Sequence, residues 1–273
     1  MIGQIHKPAW PLSQFIEFFW LYENVISEHQ RERVLPNGRF ELVINLDPIP
    51  RKLFDRHDNT RYREFRRTWL SGTHSEFIVI DVLRRSSMMG IHFRPGGVAP
   101  FLAVPAGELT NRVVEATAVW DAAADDLHNA ILEQPTPERK FQALERFLLR
   151  ALGEPTESCE VVDYALHRFM GNPHAANIRD VVASLGISHN HFISQFRDRV
   201  GLKPKHFCRV LRFQRVLSEI GQRKAVDWVD VALACGYYDQ AHFINDFQAF
   251  AGLRPSTYLT EHGKNLNFVP IST

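Results

Sequence analysis

Gly201-Leu202-Lys203-Pro204-Lys205-His206-Phe207 returns 51 positions later as Gly252-Leu253-Arg254-Pro255-Ser256-Thr257-Tyr258, and this echo decides the fold. The same offset carries His191 to His242, Phe192 to Phe243 and Phe196 to Phe247. Further upstream the offset is 50, with Val181-Val182-Ala183-Ser184-Leu185-Gly186 answering to Val231-Ala232-Leu233-Ala234-Cys235-Gly236. One residue has therefore been inserted in the turn just after Gly236. Two copies of a small helical unit side by side predict a reader of a repetitive ligand. Duplex DNA, with one major groove per turn, is such a ligand.

Each unit reads as helix, tight turn, helix. In the first, Ile178, Val181, Val182 and Leu185 fall at helical spacing, and Gly186 follows where a left-handed residue ends a helix. Ser188 then stands as an N-cap whose hydroxyl accepts from a free backbone N–H. The next helix carries Phe192, Phe196 and Val200 until Gly201 stops it. In the second unit Trp228, Val229, Ala232 and Leu233 form the first helix, Asp239 is the cap, and Phe243 with Phe247 is the inward stripe up to Gly252. This is the helix-turn-helix pattern, whose second helix enters the major groove.

A third helix separates the units. Pro204 suits a first-turn position, and Phe207, Val210, Leu211, Gln214, Leu217 and Ile220 keep helical spacing. From Pro204 to Ile220 it spans roughly 25 Å at about 1.5 Å per residue, a strut on the scale of the ~34 Å between successive grooves. The chain is nearly neutral, with a formal charge of +1. Between positions 177 and 260, however, eleven basic residues face seven acidic ones, and Arg197 to Arg215 holds seven bases and one acid. A single helix pair of this kind is as readily ordinary bundle core, and a charge run is as readily a solvated face. Duplication, capping and charge together favour phosphate contact.

The segment 177–260 resembles the DNA-binding domain of AraC-type transcriptional regulators. The likeness rests on Ser188 opening a helix with Phe192 and Phe196, on Gly201-Leu202-Lys203-Pro204, and on Gly236-Tyr237-Tyr238-Asp239-Gln240-Ala241-His242-Phe243, with Phe247, Gly252 and Pro255-x-x-Tyr258 beyond. The resemblance implies base contacts from Asn190, Ile193 and Ser194 in the first unit, and from Gln240, Ala241, His242 and Asn245 in the second. Ser194 and Asn245 stand where some relatives have Arg, which removes a bidentate reader of guanine and turns the choice towards adenine edges. His191 and His242 are equally readable as groove contacts or packed rings. Ser188, Arg197, Lys203, Lys205, Arg209, Arg212 and Arg215 are the expected phosphate contacts.

The first half is less regular. Pro11 to Tyr22 is aromatic-rich and reads as a helix running into a strand, and Phe40–Leu46, Phe77–Leu83 and Met89–Phe93 are strand-like. Turns are marked by Pro36-Asn37-Gly38 and Pro95-Gly96-Gly97, and the charged stretch 51–67 reads as a long hairpin or loop. Helices are expected over Val98–Val104, Val119–Gln134, Thr136–Leu152 and Glu160–Met170. Leu35-Pro36-x-Gly38, Leu42–Leu46, Gly90–Gly97 and the Leu109 and Trp120 stretch resemble the β-rich N-terminal domain of a subset of AraC-type regulators. In better-understood relatives such a domain is a small barrel that binds an effector or pairs subunits.

The histidines at 6, 29, 57, 74 and 92 have no metal-binding spacing. Arg94 with Gly96 and Gly97 lacks the spacing and Lys of a phosphate loop. Cys159, Cys208 and Cys235 are scattered, which fits a reducing compartment. No apolar run reaches the ~20 residues that span a bilayer, and no secretory signal is visible.

The expectation is an α+β protein. Residues 1–153 form a β-rich, barrel-like sensor or dimerisation domain with flanking helices and 154–176 a helical linker. Residues 177–262 form an all-α double helix-turn-helix domain whose units are joined by a long helix, and 263–273 a tail. The function expected is a cytoplasmic, sequence-specific, non-catalytic transcription regulator, acting as an activator or a repressor. Double-stranded DNA is the partner. RNA polymerase, a small-molecule effector and a second copy of the chain are further candidates, with no membrane, cofactor or metal. The rival classes are a sensor enzyme with a passenger helix-turn-helix and a protein-binding helical module. The enzyme fusions in mind carry a reactive Cys or a Cys cluster ahead of the helices, which this chain lacks.

Overall fold

The computed structural model describes residues 3–58, 60–152, 160–171, 178–222 and 226–271. Ten strands come first: β1 (Gln4–His6), β2 (Ile16–Ile26), β3 (Arg31–Val34), β4 (Glu41–Asn45), β5 (Arg51–Phe54), β6 (Tyr62–Phe65), β7 (Thr68–Ser71), β8 (Ile78–Asp81), β9 (Arg85–Phe93) and β10 (Val113–Glu115). Helices α1 (Thr117–Trp120), α2 (Ala122–Leu132), α3 (Pro137–Ala151) and α4 (Glu160–Gly171) follow. The repeated units are α5 (Ile178–Leu185) with α6 (His189–Val200), and α8 (Trp228–Ala234) with α9 (Gln240–Ala251). Between them runs α7 (Pro204–Gln222), and after them come α10 (Pro255–Glu261) and a last strand, β11 (Phe268–Pro270).

The strands make two antiparallel sheets, ordered β1-β2-β9-β4-β7-β10 and β11-β3-β8-β5-β6. The first sheet buries Ile16, Phe19, Leu42, Ile44, Leu70, Ile91 and Phe93 beneath α2 and α3. A chamber of about 350 Å³ opens between the sheets, walled by Trp20, Tyr22, Trp69 and Met88 of the first and Leu53, Phe65 and Ile80 of the second.

The stretch 51–67 is a hairpin, as expected, pairing Arg51 with Phe65 and Phe54 with Tyr62. Pro11 to Tyr22 is a short 3-10 turn at Leu12–Gln14 leading into β2. Thr136 caps α3 through the amide of Arg139, and α4 fills the expected Glu160–Met170. Three expectations are corrected. Val98–Val104 is no α-helix but a single 3-10 turn at Ala99–Phe101, since Pro105 disfavours helical backbone at Val104. The helix expected over Val119–Gln134 is broken at Asp121, whose φ of 47° ends α1 before α2 begins. The supposed tail turns back: β11 pairs antiparallel with β3, matching Phe268 to Val34 and Pro270 to Glu32. Of the expected helical linker 154–176, residues 154–159 and 172–176 lie outside the described residues.

The front half and the helical half share one core. Leu35 and Val269, both buried, belong to the cluster built on Phe192, Phe196, Phe207, Phe213, Phe243 and Phe247. Among the contacts between the halves, the loop 72–77 between β7 and β8 meets both helical units. Gly201 (φ +90°) and Gly252 (φ +66°), equivalent residues of the two copies, each end a recognition helix in left-handed backbone. Thr73 lies where a Gly201 side chain would be, and the Phe77 ring lies where a Gly252 side chain would be. The Thr110 hydroxyl donates to the Gly201 carbonyl, and His206 donates through Nε2 to the Ser75 carbonyl at 3.3 Å. One loop thus seats both units.

Gly201→Ala should lower stability by about 2–3 kcal/mol in thermal or urea unfolding, adding a clash to a left-handed penalty of about 1–2 kcal/mol. Gly186→Ala, at φ +65° with open space around it, should cost only that penalty. Equal losses would count against the seat. His74, in the same loop, is half-buried near Arg56, and its imidazole pKa is pushed down to about 4, chiefly by desolvation. The unfolded chain takes up this proton first, near pH 6.5, so stability is full above that and declines as the pH falls towards 4, by at most about 3 kcal/mol. His74→Gln should flatten that part of a stability–pH curve measured by urea unfolding.

Candidate nucleic-acid interface

The first two turns of α6 and α9 carry the expected base readers. Each helix starts on a side-chain cap: Ser188 accepts from the His191 amide at 3.3 Å, and Asp239 from the His242 amide at 2.7 Å. Capping fixes the first turn, and helix amphipathicity sets its faces. Phe192, Phe196 and Val200 point into the core in α6, as Phe243, Phe247 and Phe250 do in α9. The opposite face is then outward: Asn190 and Ser194 are exposed and Ile193 partly so in α6, and Gln240, Ala241 and Asn245 are exposed in α9. Ser194 donates to Asp198 at 3.2 Å. His242 is partly buried, its ring edge-on to Tyr237 and its Nε2 3.8 Å from Asp246. It is a packed ring as much as a surface group, whereas its counterpart His191 is exposed.

The expected phosphate contacts divide. Lys203 and Lys205 at the start of α7, Ser188, and Arg197 are exposed, and Arg215 is partly so. Arg197 lies along the 3-10 turn Ala106–Leu109 of the front half, against Gly107. Arg209 and Arg212 do internal work. Arg209 Nη2 donates to Asp246 Oδ1 at 2.7 Å, with its guanidinium 5.2 Å from the Phe250 ring centre. Arg212 donates to the Gly236 carbonyl at 3.3 Å and lies over Tyr237 at 5.2 Å. Asp246 is 4% exposed, and a carboxylate buried so deeply needs a cation beside it. These two arginines therefore tie the spacer helix to the second unit.

Tyr238 is a residue that sequence reasoning left without a role. It lies in the turn before α9 and is 90% exposed, next to the Asp239 cap. The signal was available: an aromatic outside every helical period, directly before a recognition helix. Val229 and Leu233, expected as ordinary members of α8, are exposed at 49% and 60%, and Val231 with Ala232 makes that helix's buried face instead.

Arg209→Ala should destabilise the fold by about 2–4 kcal/mol in urea unfolding, because it strands the Asp246 charge. Adding Asp246→Ala should return part of that loss. A simple additive loss in the double variant would show the pair to be uncoupled.

Known proteins resemble both halves of the chain. Residues 4–115 match a family described as a domain of unknown function (DUF6597), and residues 181–261 match the helix-turn-helix domain family. No curated protein sequence matches the chain. Among solved structures, ToxT from Vibrio cholerae shares the fold over 89% of this chain and 98% of its own, at 10% identity and a TM-score of 0.50. An AraC-type transcriptional regulator from Chromobacterium violaceum matches 37% of this chain and 89% of its own (21% identity, TM-score 0.33). A DNA-binding transcriptional dual regulator from Escherichia coli K-12 matches 37% and 95% (21% identity, TM-score 0.32). No described helix is long and apolar enough to cross a membrane. Twin capped helix pairs and the match over 181–261 meet on the same residues: the chain carries a helix-turn-helix domain there, behind a front segment, 4–115, that matches the DUF6597 domain family.

Proposed function

We propose that α6 and α9 enter two successive major grooves on one side of a duplex, with α7 as the strut between them. The observation that carries this reading is the equivalence of the two helices: both are capped at the first turn and closed by a left-handed glycine, and both leave a polar first-turn face uncovered. The strut has 19 residues, about 28 Å of helix, on the scale of the ~34 Å groove repeat. Asn190, Gln240 and Asn245 present amides suited to adenine edges, and Ile193 with Ala241 meets thymine methyls. Lys203, Lys205 and Arg197 contact phosphates, with Ser188 and Arg215 beside them. Arg209 and Arg212 leave the set of phosphate contacts because of their internal bonds.

The front chamber is the seat of a small-molecule effector in this reading. Its volume of about 350 Å³ falls in the range of ligand pockets, roughly 300–1,000 Å³. The protein acts in the cytoplasm, without chemistry of its own. RNA polymerase and a second copy of the chain are the macromolecular partners it would meet at a promoter.

Binding sites selected from a random duplex pool test the groove assignment. They should contain two half-sites about 10–10.5 base pairs apart. Gln240→Ala and Asn245→Ala should each cost about 1–3 kcal/mol at one or two base pairs of the half-site read by α9. Asn190→Ala should do so in the other half-site, and all three should melt like the wild type. Lys203→Ala with Lys205→Ala should weaken binding to every sequence and shallow the log–log salt dependence by about 0.9 for each phosphate that is no longer neutralised. A single half-site, or a salt slope untouched by the lysine changes, would overturn the corresponding assignment.

A further inference from the structure

The front chamber has a wall made by the far end of the chain. After α10 the Tyr258 hydroxyl donates to the Leu266 carbonyl at 2.7 Å, and Leu266 packs on Gly221 near the end of α7. Asn265, Asn267 and Phe268 then line the chamber, and β11 joins the second sheet beside β3. Adjacent strand residues point to opposite faces. Phe268 accordingly lines the chamber, while Val269 is fully buried in the core of the helical half.

The same segment is tied to the spacer helix. Gln214 of α7 uses its side-chain amide twice, donating to the Pro36 carbonyl at 2.8 Å and to Asn267 Oδ1 at 2.7 Å. The Leu35 amide donates to the Asn267 carbonyl at 2.9 Å. A side-chain amide has two N–H donors, and both here bridge the strut to the chamber rim.

The chamber also selects its occupant. Its charged groups already have contacts within the protein: Arg51 pairs with Asp81 at 3.3 Å, His92 shares a hydrogen bond with Glu41 at 2.8 Å, and the Lys52 ammonium lies over the Tyr62 ring at 4.0 Å. A charged ligand would have to compete with these contacts, at a desolvation cost of its own. Trp20, Phe65, Trp69 and Phe268 offer ring faces and edges, which favour aromatic partners.

Resting on the effector reading above, we propose that residues 265–270 are at once a wall of the chamber and its connection to the DNA-binding half. An uncharged, ring-bearing ligand seated against Phe268 holds β11 in the second sheet. Through Asn267 and Gln214 it fixes the strut against the front domain. A ligand that touches both bodies favours the arrangement in which they are joined, and the coupling is reciprocal.

The test uses the full chain and N-phenyl-1-naphthylamine, an uncharged fluorescent probe, with 8-anilino-1-naphthalenesulfonate as its anionic counterpart. The neutral probe should bind with a fluorescence rise, and the sulfonate at least about tenfold more weakly. Phe268→Ala and Trp69→Ala, on opposite walls, should each weaken the neutral probe by about tenfold or more. In the wild type the bound probe should slow amide hydrogen exchange over residues 264–271 and over α7. Gln214→Leu should keep probe binding and the slowing at 264–271 but lose the slowing in α7. If the probe binds wild type and Trp69→Ala weakens it while Phe268→Ala does not, the tail assignment falls and the chamber reading stands. Unchanged exchange over 264–271 with probe bound would have the same meaning, and it needs no variant that must fold. Slowing in α7 that survives Gln214→Leu removes the connection, equal binding of both probes removes the ligand class, and a wild type that binds neither removes both readings.

Discussion

Close approach at two equivalent glycines holds the front-domain loop 72–77 against both helical units. Gly201 and Gly252 close the two recognition helices in left-handed backbone, and the absence of a Cβ lets another segment of the chain come close. Because the helical unit is duplicated, the same socket is present twice, and residues 72–77 of the front domain fill both with Thr73 and Phe77. The strut α7 joins the units along the chain, and the loop joins them across it. Two reading heads held at both ends have less freedom to change their spacing than a strut alone would leave them.

The helical half was legible because its signals are local. Caps, stop glycines and phenylalanine spacing each need only a few neighbouring residues, and the repeat states every one of them twice. The front half was legible only where a strand is long or apolar enough to alternate. β4, β8 and β9 were visible in this way, whereas β3 (Arg31–Val34) and β7 (Thr68–Ser71) are too short and mixed to announce themselves. β11 was hidden for a further reason. Pro270 argues against a strand, yet at the edge of a sheet its missing N–H costs no ladder bond. The seat at residues 72–77 had no sequence signal at all, since nothing in a Gly-Thr-His-Ser turn says which distant helix ends it will meet.

The basic run from Arg197 to Arg215 shows the limit of counting charge. Its residues share one helix end and one helix, yet they serve opposite purposes. Lys203 and Lys205 are exposed, Arg199 pairs with Asp163 at 2.7 Å, and Arg209 is held by Asp246, 37 positions away in the chain. The local excess of bases is plain in the sequence, but which of them remain available depends on acids that only the tertiary fold brings near. The duplicated unit sharpens the point: the first copy has Gln195 where the second has Asp246, and it is Asp246 that holds an arginine from the strut.

The strand at Phe268–Pro270 also gives the molecule an order of assembly. A ribosome releases β3 early and β11 only after both reading units have emerged, and front domains generally begin to fold first. Until then the second sheet keeps β3 as a bare edge, the kind of surface on which stray chains pair. The compartment between the sheets gains its last side only when both helix pairs have been synthesised, so the front half is closed by a strand made after the helices it packs against.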